Sequence, residues 1–426
     1  GQIIDASGTA RAIDFAREID WTGWRYVEAE IPPGTSYPIS LRRIYVVEPR
    51  TDTLYSGEIY LERLESVYAP EIDADLLPEI PPVHDPANRH HLLNKSDAEH
   101  FRFIVFGDSK VDPSEPNSDG VTVFSGLIDR INRHDVEFVI YTGDLIENDT
   151  VANFEFGKSF LERIRHPWHM TIANHEIAGT DSFDNYRKFF GETYYHFQHG
   201  NSEFLVLNAS RSGGLRDSEP EQWPWLLDRL ERSDAKNLFI TIHIPVVDPM
   251  PGGQTGWLDK GEVTIFQDLL TKYTEKFDNI YVFNGHVHGF DRRPFDGVEY
   301  ITTAGGGSPL YMQPDQGGFF HYMIVTVDGR DISYQAIPLL DRIDLPAEIA
   351  AKIGEKVQVD AVGVAPDEIV KFPLRYPAAT EWKIADESIA TFDPKTNLLH
   401  ARKLGETTLT VHSDETSATA RVIVTD

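Results

Sequence analysis

Between residues 101 and 288, five apolar runs each stop abruptly in a polar cluster. FRFIVF runs into Gly107-Asp108, VEFVIYT into Gly143-Asp144, HMTIA into Asn174-His175-Glu176, LFITI into His243-Ile244-Pro245, and IYVFN into Gly285-His286-Val287-His288. Stretches of helical period separate these runs, with apolar faces at Phe124, Leu127, Ile128 and Ile131, at Trp223, Leu226, Leu227 and Leu230, and at Phe266, Leu269, Leu270, Tyr273 and Phe277. Strands alternating with helices predict an α/β core with helices on its faces. Ligands bind beyond the carboxyl ends of the strands in such a sheet, so the five clusters are expected to converge on one site. Glycine before Asp108, Asp144 and His286 fits a backbone that turns sharply to present the next side chain.

Asp, Asn and His side chains form a nitrogen and oxygen donor set that suits Zn, Mn, Fe or Co and offers nothing to metals that need thiolate. Two carboxylates, an amide and three imidazoles are too many for one structural zinc and enough for two adjacent ions. The chain has no cysteine, which excludes disulfides, a thiolate nucleophile and Cys-based zinc sites. Its 39 Lys and Arg against 68 Asp and Glu leave a formal charge of −29. So acidic a surface repels polyanions, which disfavours nucleic acid or anionic lipid as a general partner and requires cations around any phosphate substrate. No apolar run approaches the roughly 20 residues of a membrane helix.

At 426 residues the chain exceeds one hydrophobic core. Residues 1–66 hold short β-rich runs, WRYVEAEIP, ISLRRIYVVEP and GEIYLERL, and 67–99 read as a Pro-rich acidic linker. Residues 100–342 are the α/β region, and 343–426 return to strand signals in KVQVDAVGV, EWKIAD, SIATFD and ETTLTVHS, of a size for a small β-sandwich.

The set GDSK, GDLIEN, ANHE, IHIP and GHVH resembles the calcineurin-like metallophosphoesterase superfamily, over residues 101 to about 340. TTAGGGSPLY and HYMIVTVDG resemble the closing strands of these enzymes. The resemblance implies a four-layer fold, a β-sandwich core flanked by helices. It also implies hydrolysis of a phosphomonoester or phosphodiester by two divalent or trivalent ions. By position, Asp144 would bridge both ions, Asp108 and His288 would complete one site, and Asn174, His243 and His286 the other. His175 would protonate the leaving oxygen, and Glu176 would either orient a neighbour or form a surface salt bridge.

One position departs from the pattern. The superfamily has a metal-binding His two residues after Asp108, and this chain has Lys110, whose ammonium has no lone pair to donate. Three readings stay open. The first site persists on Asp108, Asp144, His288 and solvent, with Glu147 as a helper or as a solvated loop residue. Alternatively, Lys110 contacts substrate phosphate and one ion remains firmly held. In the third reading the site has decayed into a scaffold.

The flanks carry resemblances of their own. IDWTGWRYVEAEIP, ISLRRIYVVEP and SGEIYLERL resemble the second half of a carbohydrate-binding-type jelly roll, in which Trp21 and Trp24 either stack on sugar or fill the core. Roughly 65 residues cannot close a sandwich that needs about 100, so missing strands from a preceding segment, or a trimmed end, are expected. The last section resembles the bacterial Ig-like group 2 domain through Trp382, Asp386 before Ile389-Ala390, Ala401 and Gly405-x-Thr407. Together these imply an extracellular or bacterial cell-surface phosphoesterase, with cell-wall or exopolysaccharide glycan as a second partner. The rival is a non-catalytic surface glycan-binding or adhesion protein with a degenerate metal site. Metal-dependent hydrolysis of an aryl phosphate separates the two.

Overall fold

The computed structural model describes residues 1–426 apart from 17–18, 20, 37, 47–57, 63, 65–97, 212–213, 251–254, 375–379 and 395. The expected linker 67–99 lies almost wholly outside the described residues. The chain divides into two units, Gly1–Val83 with Lys260–Phe266, and His84–Asp259 with Gln267–Asp426.

In the first unit, β1 (Gln2–Ile4), β2 (Ala10–Ala12) and β3 (Ser40–Arg43) form an antiparallel sheet in the order β2-β1-β3. The buried Asp5 carboxylate closes the β1–β2 turn, accepting from the backbone N–H of Ser7 and Thr9 at 3.0 Å each and pairing with Arg11 at 2.8 Å. Residues 24–32 and the described residues of 58–64 carry no strand, contrary to expectation. Aromatic β propensity reflects packing on a half-buried face. Trp24 and Tyr26 have no such face, being 72% and 78% exposed.

The central region runs, in chain order, β4 (His100–Phe106), α1 (Asp119–Ile131), β5 (Phe138–Tyr141), α2 (Val151–Leu161), β6 (Trp168–Met170), α3 (Asp184–Phe190), β7 (Tyr195–His199), β8 (Ser202–Leu207), α4 (Leu215–Ser218), α5 (Gln222–Arg232), β9 (Asn237–Ile242), α6 (Lys260–Tyr273), β10 (Asn279–Asn284), β11 (Phe290–Phe295), β12 (Val298–Thr303), β13 (His321–Asp328) and β14 (Asp331–Pro338). Two sheets result, a five-stranded one in the order β14-β13-β4-β5-β6 and a six-stranded one in the order β11-β12-β10-β9-β8-β7.

Alternation along each strand sorts its side chains between two cores. Phe101, Phe103, Val105, Phe138 and Ile140 meet Phe204, Phe239 and Phe283 between the sheets. Ile104, Phe106, Val139 and Tyr141 point the other way, under Phe124 and Leu127 of α1 and Phe154 of α2. The inner layer is aromatic: Phe103 stacks on Phe138 at 5.2 Å and meets Phe204 and Phe239 edge-on at 5.3 and 5.1 Å. Burial on both faces is why these strands read as continuous apolar runs.

The expected face of α1 is buried as a whole, behind an N-cap at Ser118 whose side chain accepts from Val121 N–H. In α5 the buried stripe is Gln222, Trp225, Leu226 and Leu230, one phase away from the expected one, and Leu227 is 39% exposed. The phase follows Arg229, whose guanidinium reaches the buried Glu203 of β8 at 2.7 Å.

The last section contains β15 (Arg342–Asp344), β16 (Glu348–Lys352), β17 (Lys356–Gln358), β18 (Val362–Val364), β19 (Lys371–Pro373), β20 (Glu381–Ile384), β21 (Ala390–Asp393), β22 (Leu398–Ala401), β23 (Gly405–Ser413) and β24 (Thr416–Thr425). A four-stranded sheet in the order β16-β24-β23-β20 and a three-stranded one in the order β17-β22-β21 enclose a core of their own, including Ile349, Leu399, Leu409 and Val422. This β module is docked on the α/β region. Phe372 stacks on Phe319 at 5.0 Å, and the turn between β23 and β24 meets the end of α1, where Arg130 pairs with Asp414 at 3.1 Å.

Candidate metal centre

The carboxyl ends of β4, β5 and β6 in one sheet and of β9 and β10 in the other bring the five polar clusters to one place. Asp108 (φ 69°), Asp144 (φ 54°) and His286 (φ 68°) all adopt the left-handed backbone, which costs a residue with a Cβ roughly 1–2 kcal/mol. Parallel hydrogen bonds hold the first two loops in register: Asp108 N–H donates to Gly143 O, Lys110 N–H to Asp144 O and Val111 N–H to Leu145 O, each at 2.9 Å. The adjacent glycines answer to close approach. A Cβ on Gly285 would stand 2.6 Å from Asp108 Oδ2 and 2.8 Å from His243 Nδ1, and one on Gly143 (φ 103°) 2.7 Å from Ala173 Cβ.

Six buried atoms of this cluster have no hydrogen-bond partner: Asp108 Oδ2, Asp144 Oδ2, Asn174 Oδ1, His243 Nε2, His286 Nδ1 and His288 Nε2. A buried orphan acceptor costs about 1–3 kcal/mol. Six converging lone pairs fit a cation, which serves them all at once. Two overlapping groups have their ligand atoms within 4.8 Å of one another: Asp144 with His243 and His286, and Asp108 with Asp144 and His288. Asp144 belongs to both.

Backbone carbonyls orient the imidazoles. His243 Nδ1 donates to Thr142 O at 2.8 Å, His288 Nδ1 to Pro309 O at 2.6 Å, and His175 Nδ1 to Glu147 O at 2.7 Å. A carbonyl only accepts, so each bond puts a proton on Nδ1 and turns Nε2 toward the cleft, where it can ligate once it carries no proton of its own. His175 sits at the rim, 20% exposed, with Nε2 3.9 Å from Asp144 Oδ2. Lys110 Nζ lies 3.5 Å from the same oxygen.

Glu176 is fully buried beneath Asp144. Its carboxylate accepts from the N–H groups of Asp144 at 3.0 Å, Leu145 at 2.8 Å and Ile146 at 3.4 Å. It orients a neighbour and is no surface salt bridge. The Glu147 carboxylate is 46% exposed and belongs to neither ligand group.

Burial raises Asp108 to about 7, against the lowering influence of His243. Burial also works to raise Asp144, but His243, with His175 and Lys110, overrides it and holds this carboxylate far below the usual range. Its partner His243, which burial alone would lower, is raised to about 9 by Asp144. His286 is lowered to about 3 by burial and by His243, and His288 to about 4 by burial and by Lys110. Both are therefore neutral, with lone pairs free to coordinate. Burial, and then Asp144, raise Glu176 to about 8.

All the sequence-derived site residues thus stand in one cleft: Asp108, Lys110, Asp144, Asn174, His175, His243, His286 and His288. Sequence patterns did not reveal the carbonyls of Thr142, Glu147 and Pro309 that orient the imidazoles, since any residue carries one. Nor did they single out Tyr311, which stacks on His288 at 4.0 Å while 46% exposed, and whose N–H donates to His288 O at 3.0 Å.

The two sheets thus gather Asp, Asn and His side chains at their strand ends, in the part of the chain that a known phosphoesterase family model covers. In particular, residues 101–290 match the calcineurin-like phosphoesterase family model. No curated protein sequence matches the chain. Among solved structures it is similar to a purple acid phosphatase from yellow lupin (Lupinus luteus) seeds, at 17% identity and a TM-score of 0.47, over 57% of this chain and 52% of that one. It is also similar to GAP50, the anchor in the inner membrane complex of Plasmodium, at 13% identity and a TM-score of 0.43, over 57% and 85%. A dimetal phosphatase from Danio rerio aligns at 14% identity and a TM-score of 0.41, over 55% and 98%. The chain thus spans about half the length of the lupin enzyme.

Proposed function

We propose that this cleft hydrolyses a phosphate ester with the help of bound metal. The observation that carries the reading is the set of six unpartnered buried donor atoms around Asp144. Asp144, Asn174, His243 and His286 would hold one ion, and Asp108, Asp144 and His288 frame the second position. When bound, metal supplies Lewis-acid charge to the phosphoryl oxygens and acidifies an attacking water. The chain's own residues do the rest. Lys110 directs its ammonium at a phosphoryl oxygen, adding positive charge where negative charge develops. His175, whose Nδ1–H is held by the Glu147 carbonyl, turns Nε2 to the rim, from which its imidazolium form protonates the leaving oxygen. Glu176 fixes the Asp144 loop so that the cleft needs no rearrangement to receive the ester.

Turnover of para-nitrophenyl phosphate and of its bis-ester, after chelation and with each ion restored, tests the reading and separates monoesterase from diesterase. Asn174→Ala is expected to lower turnover about 100-fold or more, on the scale of lost metal-site partners. Full activity in chelator, or in Asn174→Ala, would sink the proposal.

We place the enzyme outside the cell, at a bacterial surface, with the C-terminal β module as an Ig-like spacer and the N-terminal sheet as part of a glycan-binding jelly roll. The absence of cysteine and the flanking resemblances support this placement. Among the described residues no helix is long and apolar enough to cross a membrane. Fractionation of the native host, with the protein absent from washed surface material, would overturn the placement.

A further inference from the structure

The two ligand groups are unequal. Asp144, His243 and His286 have the unpartnered Asn174 Oδ1 for company, on a loop tied to Asp144 by the His175 N–H, which donates to Asp144 Oδ1 at 3.1 Å. Among the described residues, no further His, Asp or Glu joins the group of Asp108, Asp144 and His288. The position beside Asp144 from which a further ligand could come is 110, and it holds a lysine that has no lone pair to give.

Its placement is fixed by the backbone. The hydrogen bonds from Asp108, Lys110 and Val111 to the 143–145 strand end hold these two segments side by side, and Lys110 itself has a left-handed φ of 45°. Any side chain at position 110 therefore enters the cleft beside Asp144. The Lys110 side chain is only 13% exposed, and its ammonium stands 3.5 Å from Asp144 Oδ2, an oxygen that no hydrogen bond satisfies. Asp108, Glu147 and Tyr311 are its other charged or titratable neighbours.

A cation in that position opposes a metal ion in two ways. It engages the Asp144 oxygen that a second ion would share, and it repels that ion at a few ångströms through a medium that screens poorly. It also does part of the ion's work, since it presents positive charge to whatever anion enters.

We propose that Lys110 makes the centre asymmetric: one ion is held by Asp144, Asn174, His243 and His286, and the Lys110 ammonium supplies the positive charge in the half framed by Asp108 and His288, where a second ion binds only weakly. The substrate phosphate then meets a metal on one side and an ammonium on the other. This inference rests on the metal-dependent reading above.

Metal titration of the stripped full-length chain tests it, read by calorimetry and by metal content after gel filtration, with Zn and Mn as probes. The parent chain is expected to keep one equivalent, with a second bound at least about 100-fold more weakly, as charge repulsion at this range implies. Lys110→His, which restores a donor, and Lys110→Gln, which only removes the charge, are both expected to tighten the second site, the histidine more. Mn-loaded Lys110→His should show the electron paramagnetic resonance of a coupled pair, and the parent that of an isolated ion. Two equivalents of like affinity in the parent, or no change in either variant, would overturn the proposal while leaving the metal reading intact. Failure of the parent and both variants to bind any metal would instead overturn the metal reading, and this inference with it.

Discussion

At the scale of single residues, His243, His288 and the Asp144 loop are aimed by neighbours, the carbonyls of Thr142 and Pro309 and the carboxylate of Glu176. Glu176 is the clearest case, a buried carboxylate that holds three successive N–H groups under Asp144. Glu176→Gln keeps the shape but aims an amide N–H₂ at backbone donors, and metal affinity is expected to fall about 10- to 100-fold. Calorimetric titration checks this, and an unchanged affinity would reduce Glu176 to packing. Tyr311 covers His288 on one side and remains half exposed. Tyr311→Ala is expected to raise KM for an aryl phosphate about 2- to 10-fold more than for an alkyl phosphate, the difference an aromatic pair of ~0.5–1.5 kcal/mol makes. Equal effects on both esters would mean that the ring only supports His288.

At the scale of elements, what could be read in advance was what the chain repeats or ends abruptly. The five strands, their polar ends and the face of α1 were legible because two-sided burial leaves an apolar run and a helix leaves a stripe. The stripe of α5 was misread by one phase, since its orientation answers to Glu203 on a distant strand and not to local hydrophobicity. The strands expected at 24–32 failed for a related reason: propensity cannot report whether a neighbouring strand exists. Within the site, ligand identities were legible and their orientation was not, because carbonyls leave no trace in a sequence. Glu203 offers a test of its own. Burial raises its carboxyl, but hydrogen bonds from His196, Gln198 and Arg229 override that and hold it below its ordinary value. A lowered folded pKa adds stability that is complete above the unfolded value, near 4.5, and is lost as pH falls through the folded one. The urea midpoint measured between about pH 3 and pH 7 should therefore lose part of its acid slope in Glu203→Gln. An identical slope would show that the network is not coupled to folding.

At the scale of the whole chain, the C-terminal β module shares apolar surface with the α/β region and does not hang from it. Phe372 packs on Phe319, and Val411 of β23 lies in the same core as Phe103. The polar part of the contact, Arg130 with Asp414, has side chains only 17% and 13% exposed. A double-mutant cycle on Arg130→Ala and Asp414→Ala should give a coupling of about 1 kcal/mol, at the upper end of the exposed-pair range because both groups are largely shielded from water. The module and the α/β region are then expected to unfold in one calorimetric transition. Two separate transitions, or no coupling, would make the module an independent bead.

The carboxylate of Glu176 has one more consequence, for the traffic of ions in and out of the cleft. Because it grips the Asp144 loop from below, the ligand cradle exists before any ion arrives. Loading and stripping are then exchange events at a finished cleft, with no folding step between them. The amides of Asp144, Leu145 and Ile146 should resist hydrogen exchange equally in stripped and loaded protein. Under the proposed metal-dependent hydrolysis, such a cleft would take up whatever suitable ion its surroundings offer, and turnover would become a running record of local metal supply.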